Sequence, residues 1–169
     1  MTDSTKTTYG DRSQDAPEEL GAFSFLIGTW EGKGRTKFDN GEVAEYTITW
    51  IGRYILDGTA IADEAHSTGP DGKPYLGISL RQYDRNRKTW VVEFLNVSYS
   101  FLRKQVNRRS GSVTVRGRTV TVLSDGAVTR EHYEVEDGDH WIFRMDSSKD
   151  EGKTWNKGQV EIRLQRVKE

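Results

Sequence analysis

Cysteine is absent from the 169 residues of this chain, which excludes disulfide staples, thiolate nucleophiles and thiolate metal sites. Histidine is scarce: His66, His132 and His140 are the full set, and none is spaced as H-x-H or H-E-x-x-H, so no metal site is expected. Long hydrophobic runs are missing too. No stretch approaches the length of a membrane span, and the first residues carry Ser, Thr, Asp and Lys where a leader would be apolar. These absences point to a protein of the cytoplasm with no membrane partner. An excess of either charge is also lacking, since 25 Lys and Arg against 26 Asp and Glu give a formal net charge of -1. Such a balance creates no global field to steer nucleic acid. The basic run Arg103, Lys104, Arg108, Arg109, continued by Arg116 and Arg118, reads as solvated strands and their hairpin. No serine stands in a nucleophile elbow, and no glycine-rich loop leads from a strand into a helix to hold phosphate.

What is present is the patterning of an all-β chain. Its length suits one domain with a real core. Residues 1–14 are polar and aperiodic and read as a mobile tail, leaving 15–169 as the domain. Asp15 as N-cap, Pro17 in the first turn and two early carboxylates predict a short helix over 17–25. Its Leu20 and Phe23, with Leu26, offer a face to cover a barrel mouth. Beyond Gly28, short β-branched and aromatic runs alternate with turn signals. Asp39-Asn40-Gly41 closes a first hairpin into a strand over 43–50. Gly52 precedes a longer strand over 54–66, in which Asp57-Gly58 reads as a bulge. Further strands are predicted over 75–83, 89–97, 98–109, 113–116, 119–123, 128–135, 140–145 and 160–167. About nine or ten strands joined by short turns favour an up-and-down antiparallel barrel that hides its edges by closing.

Two motifs sharpen this reading. In Phe25-Leu26-Ile27-Gly28-Thr29-Trp30-Glu31-Gly32-Lys33-Gly34 an apolar run enters a glycine, and glycines then alternate with charged residues at strand period. Gly28, Trp30, Gly32 and Gly34 share one face, and glycines in a strand permit the bends a barrel needs. Gly28-x-Trp30 after a short helix resembles the calycin superfamily of lipocalins and fatty-acid-binding proteins. That resemblance implies a tryptophan at the closed end of the barrel under a late-strand arginine, here Arg163 or Arg166. Near the other end, Ser148-x-Asp150-x-Gly152-x-Thr154-Trp155 has the spacing of an Asp-box hairpin, a structural staple. Together with Gly77 and Tyr83-Asp84, these motifs resemble the lipocalin-like bacterial family DUF1579 from about Leu20 onward. The family implies a fold and leaves the chemistry open. Gly28-Thr29-Trp30-Glu31-Gly32-Lys33-Gly34 also resembles the opening of nitrobindin, a haem-binding ten-stranded barrel. Nitrobindins take their iron ligand from a histidine on the final strand, and 159–166 has none. No haem or other cofactor is therefore expected, with His140 the nearest substitute ligand.

Three functions stay open. A lumen lined by aromatic residues suits a small hydrophobic or aromatic ligand, with Tyr46, Trp50, Phe94 and Tyr99 as walls and Arg81 or Asn96 to orient it. A small-barrel enzyme would use acid–base groups in the lumen, with Glu93 or the Glu64–His66 pair as candidates. For Glu93, alternation in Trp90-Val91-Val92-Glu93-Phe94 favours an outward phase. A ligand-free module would pair as a homodimer through an exposed barrel face. A carboxylate inside the lumen with a polar group in hydrogen-bond reach would favour the enzyme, and scattered neutral polar groups would favour plain binding.

Overall fold

The computed structural model describes residues 8–68, 74–96 and 111–168. Ten antiparallel strands are formed among them: β1 (Gly28–Lys37), β2 (Val43–Ile55), β3 (Ala60–Thr68), β4 (Pro74–Asp84), β5 (Thr89–Asn96), β6 (Gly111–Arg116), β7 (Thr119–Ser124), β8 (Thr129–Val135), β9 (His140–Ser147) and β10 (Asn156–Arg166). Their order in the sheet is β5-β4-β3-β2-β1-β10-β9-β8-β7-β6, an up-and-down meander in which the first strand pairs with the last. β5 and β6, at the two ends of that order, lie side by side, so the sheet is a nearly closed barrel. The expected strand over 98–109 and most of the basic run lie outside the described residues. No helix among the described residues is long and apolar enough to cross a membrane.

The opening helix forms, but as a 3-10 helix over Glu18–Leu26. Its spacing explains the difference. Leu20, Phe23 and Leu26 recur every third residue, so the three-residue turn stacks all of them on one face, and all three are fully buried. The Leu20 amide donates to Pro17 O at 3.1 Å. Asp15 does not cap this helix; the residue before it is Pro17 in an extended conformation, with no side-chain cap. From Thr8 onward the chain is not a loose tail either. The Ser13 amide donates to Gly58 O at 3.1 Å, and Arg12 reaches Pro17 O at 3.0 Å, tying this strap to the turn between β2 and β3.

That turn corrects a second expectation. Leu56, Asp57 and Gly58 all take positive φ, so the chain reverses there, and the predicted bulge is a hairpin turn. β2 conversely runs straight through Gly52, where the sequence suggested a break. A Cβ at Gly52 would stand 2.1 Å from Leu26 O, so the glycine seats the incoming chain, and Ile27 bridges it in parallel fashion.

The Asp-box hairpin joins β9 to β10. Ser148 Oγ accepts from the Gly152 amide at 2.8 Å, and Asp150 accepts from the Thr154 amide and hydroxyl at 2.8 and 2.6 Å. These Thr154 bonds hold the Asp150 carboxyl below its usual range. Beside the hairpin, on the outer face, Arg130 stacks 4.4 Å from the Trp155 ring and donates to Asp146 at 3.1 and 2.7 Å. Burial pushes the Asp146 carboxyl up, but the Gly158 amide and Arg130 pull it down further, and it ends below the ordinary value. A lowered carboxyl contributes stability in full above the unfolded value near 3.9 and loses it as pH falls through the folded one. Asp146→Asn is therefore expected to cost about 1–3 kcal/mol at pH 7. In urea denaturation followed by circular dichroism, that gap should narrow below about pH 4.

Candidate functional site

The barrel interior is divided into a closed end, a charged middle and a cavity. At the closed end, Trp30 is buried, donates from Nε1 to Leu26 O at 3.1 Å and meets the Trp141 ring edge-on at 5.9 Å. The guanidinium above it belongs to Arg166, 4.1 Å from the ring centroid, and Arg166 Nη1 also donates to Ile27 O at 2.9 Å. Of the two arginines the sequence offered, Arg163 is not the one. It lies on the outer face of β10, is largely exposed, and pairs with Glu161 at 3.4 Å. The two-residue period of the strand decides this, since Leu164 and Ile162 point inward and Arg163 between them cannot.

Above the closed end sits a chain of ionisable groups. Asp63 on β3 and Arg81 on β4 are each about 1% exposed and form a hydrogen-bonded ion pair. Arg81 also donates to the Tyr133 hydroxyl at 3.0 Å, and that hydroxyl donates to Glu131 Oε2 at 2.9 Å. The guanidinium is packed 4.9 Å from the Phe23 ring and 5.5 Å from the Tyr133 ring. Burial raises the Tyr133 phenol far above its usual range; Glu131 adds to the rise and Arg81 opposes it. Tyr133 is therefore a fixed neutral donor. Arg81, expected to orient a ligand, is instead committed to Asp63 and Tyr133 beneath the cavity floor.

The cavity occupies the end of the barrel opposite Trp30 and has a volume of about 380 Å³. Its floor is Trp50, Tyr133 and Phe143, with Glu131 as its one ionisable carboxylate among the described lining residues. Tyr46 and Phe94 form parts of its wall, and both are placed by glycines. The Tyr46 ring lies across its cross-strand partner Gly34, where a Cβ would be 2.4 Å from the ring, and its hydroxyl shares a hydrogen with Thr36 at 3.2 Å. Phe94 lies diagonally over Gly77, a Cβ there being 2.9 Å from the ring. Replacing a side chain by a neighbour's ring on a strand glycine fixes the ring flat against the sheet. Burial raises the Tyr46 phenol, with the Thr36 contact opposing. Trp50 is 6% exposed, and its indole N–H has no acceptor among the described residues.

Of the residues singled out in the sequence, the structure thus brings Tyr46, Trp50 and Phe94 together around one space. Asn96 ends β5 opposite Gly77, and Tyr99 lies outside the described residues. The acid–base candidates are not in the lumen. On β5, Val92 is buried and Phe94 lines the cavity, so Glu93 between them falls on the outer face. On β3, Asp63 and Ala65 face inward, and Glu64 and His66 pair with each other outside at 3.0 Å, with Arg53 3.4 Å from Glu64. His140 is half exposed and bonds to Asp137 at 2.9 Å on a surface turn. Among the described residues no three His, Cys, Asp or Glu side chains gather as a metal-ligand set. The sequence reading passed over Glu131. Its signal was the alternation Thr129, Glu131, Tyr133, which puts this carboxylate on the same strand face as an aromatic ring.

No curated protein matches the chain. Among solved structures it is similar to the crystal structure of Rv2717c from M. tuberculosis, with a TM-score of 0.61 and 17% identity over 91% of this chain and 100% of that one. At that identity the likeness is one of fold. More remote are the structure of EF1p2_mFAP2b bound to DFHBI (TM-score 0.44, 14% identity, 86% of this chain and 97% of that one) and a redesigned beta barrel, b11L5F_LGL (TM-score 0.43, 16% identity, 87% and 96%). The family model described as protein of unknown function, DUF1579, matches residues 18–166, and the chain belongs to that family.

Proposed function

We propose that this protein binds a small, largely apolar aromatic molecule in the cavity opposite Trp30. The observation that carries the reading is the 380 Å³ space walled by the rings of Tyr46, Trp50, Phe94 and Phe143. A pocket of that size holds a compact drug-like or metabolite-like molecule, and rings in its lining favour a flat one. The walls are preset by Gly34 and Gly77, so little ordering cost falls on binding.

The Glu131–Tyr133 contact supports a second reading, an acid–base enzyme, because a carboxylate and a phenol stand in hydrogen-bond reach inside the lumen. Binding is favoured over it for a physical reason. The phenol proton already points to Glu131, and a phenol raised this far neither gives nor takes a proton readily near neutrality.

The test is titration with N-phenyl-1-naphthylamine, a neutral dye whose emission rises in apolar surroundings. The native protein should bind one dye per chain. Ser67→Trp, which adds an indole to the cavity lining, should bind it at least about tenfold more weakly while keeping its unfolding midpoint. Equal binding by both proteins would place the dye elsewhere and overturn the reading.

A further inference from the structure

We propose that the lumen selects cationic aromatic molecules, amines or amidines, and that Glu131 is the residue that anchors their charge. The inference rests on the lumenal binding reading and adds the chemical class of the ligand. Its basis is the charge balance of the interior. Away from the closed end, where Arg166 is committed to the Trp30 ring and the Ile27 carbonyl, three charged side chains face inward among the described residues: Asp63, Arg81 and Glu131. Asp63 and Arg81 cancel each other as a buried, hydrogen-bonded pair, and neither lines the main cavity. Glu131 is left as the net charge, and it does line the cavity.

Its bonding shows why a cation is the fitting partner. A carboxylate has about four acceptor positions. Among the described residues, Glu131 receives one protein hydrogen bond, from the Tyr133 hydroxyl. Arg81 does not pair with it directly, because the guanidinium is held on Asp63, on the Tyr133 hydroxyl and against the Phe23 ring. Tyr133 in turn cannot ionise or reverse its hydrogen bond, since its oxygen accepts from Arg81 and its proton goes to Glu131. The relay therefore orients Glu131 without cancelling it. No lysine, arginine or histidine is among the described lining residues of the cavity.

The walls agree with this. The faces of Tyr46, Trp50 and Phe94 are electron-rich and attract a cation electrostatically, more strongly where water is excluded. A flat ring bearing an ammonium group satisfies both elements at once, with the ring against the aromatic lining and the N–H groups on Glu131. A carboxylate ligand of the same shape would meet Glu131 as a like charge in a poorly solvated space.

The experiment uses three probes of one shape, 2-naphthylmethylammonium, 2-naphthylmethanol and 2-naphthoate, each displacing N-phenyl-1-naphthylamine from the protein at pH 7. The ammonium should bind about tenfold more tightly than the alcohol, the advantage of one charge-assisted hydrogen bond over a neutral one, and the carboxylate should bind most weakly. Glu131→Gln keeps an acceptor for Tyr133 and should bring the ammonium-to-alcohol ratio to about one, whereas Glu131→Asp should retain a preference for the cation. The dye itself reports folding of each variant. Equal affinity for ammonium and alcohol, a preference for the carboxylate, or a cation preference that survives Glu131→Gln would each overturn the proposal while leaving the lumen as a binding site. Failure of the native protein to bind the dye at all would remove both readings.

Discussion

Replacing Asp63 with alanine is expected to lower the unfolding free energy by about 3–5 kcal/mol. The side chain lost is small, and the cost lies in what remains. Arg81 stays about 1% exposed, wedged between the Phe23 and Tyr133 rings, with its counter-charge gone. A buried guanidinium has no way to neutralise itself by releasing a proton, so it must either drag water inward or pull the Glu18–Leu26 helix off the barrel. Arg81→Met alone leaves Asp63 buried and unpaired, and is expected to cost a similar amount. The double change Asp63→Leu with Arg81→Met removes both charges and should be less destabilising than either single change, because an apolar pair escapes the desolvation cost of the ions. Urea unfolding of the native protein, Asp63→Leu, Arg81→Met and the double variant as a double-mutant cycle checks this, and simple additivity of the two single losses would show the pair to be uncoupled. The double variant also lacks the Arg81 donor to Tyr133, so its cation preference should fall if the relay orients Glu131.

Trp30→Ala should cost about 3–5 kcal/mol, from lost burial and the cavity left behind. The indole holds three things at once: the Leu26 carbonyl through Nε1, the Trp141 ring edge-on, and the Arg166 guanidinium above. Trp30→Phe keeps most of the apolar area, loses the bond to Leu26 and should cost about 1–2 kcal/mol. Arg166→Ala removes a cation on an aromatic face and two main-chain contacts, and about 1–2 kcal/mol is expected. Arg163→Ala, on the exposed outer face, should change the unfolding midpoint by less than about 0.5 kcal/mol equivalent. Comparable losses for the two arginine variants would contradict the stacking arrangement.

Turn chemistry and alternation made the ten-stranded meander legible, because short strands between Asn-Gly, Asp-Gly and Gly-rich turns leave few alternatives. Glycine and charge were where that legibility ended. Gly52 read as an interruption because a glycine in a strand weakens it; only the Leu26 carbonyl arriving from outside the strand shows what the missing Cβ makes room for. β4 is the clearest case of pattern misleading about phase. Leu76, Ile78 and Leu80 look like the core face, yet Gly77, Ser79 and Arg81 are the buried set and Leu76 is exposed. The inversion depends on Asp63 one strand away, which turns Arg81 from an impossible interior residue into half of a neutral pair. No local pattern carries that information, since the partners are 18 positions apart. The walls of the cavity were within reach because aromatic residues announce themselves. Its carboxylate was not, because Glu131 sits in a run of charged residues, Arg130-Glu131-His132, that reads as solvent-facing.

The ladder between the first and last strands sets the timetable on which this chain becomes a barrel. Each half of the molecule zips up through neighbouring hairpins, but the ring is completed by a pairing of Trp30 with Arg166 that spans nearly the whole polypeptide. Joining such distant segments carries the largest loop-closure entropy in the fold and slows the final step. A chain still emerging from the ribosome therefore holds a half-built sheet with β1 as a bare edge, and it stays open to wrong partners until β10 arrives.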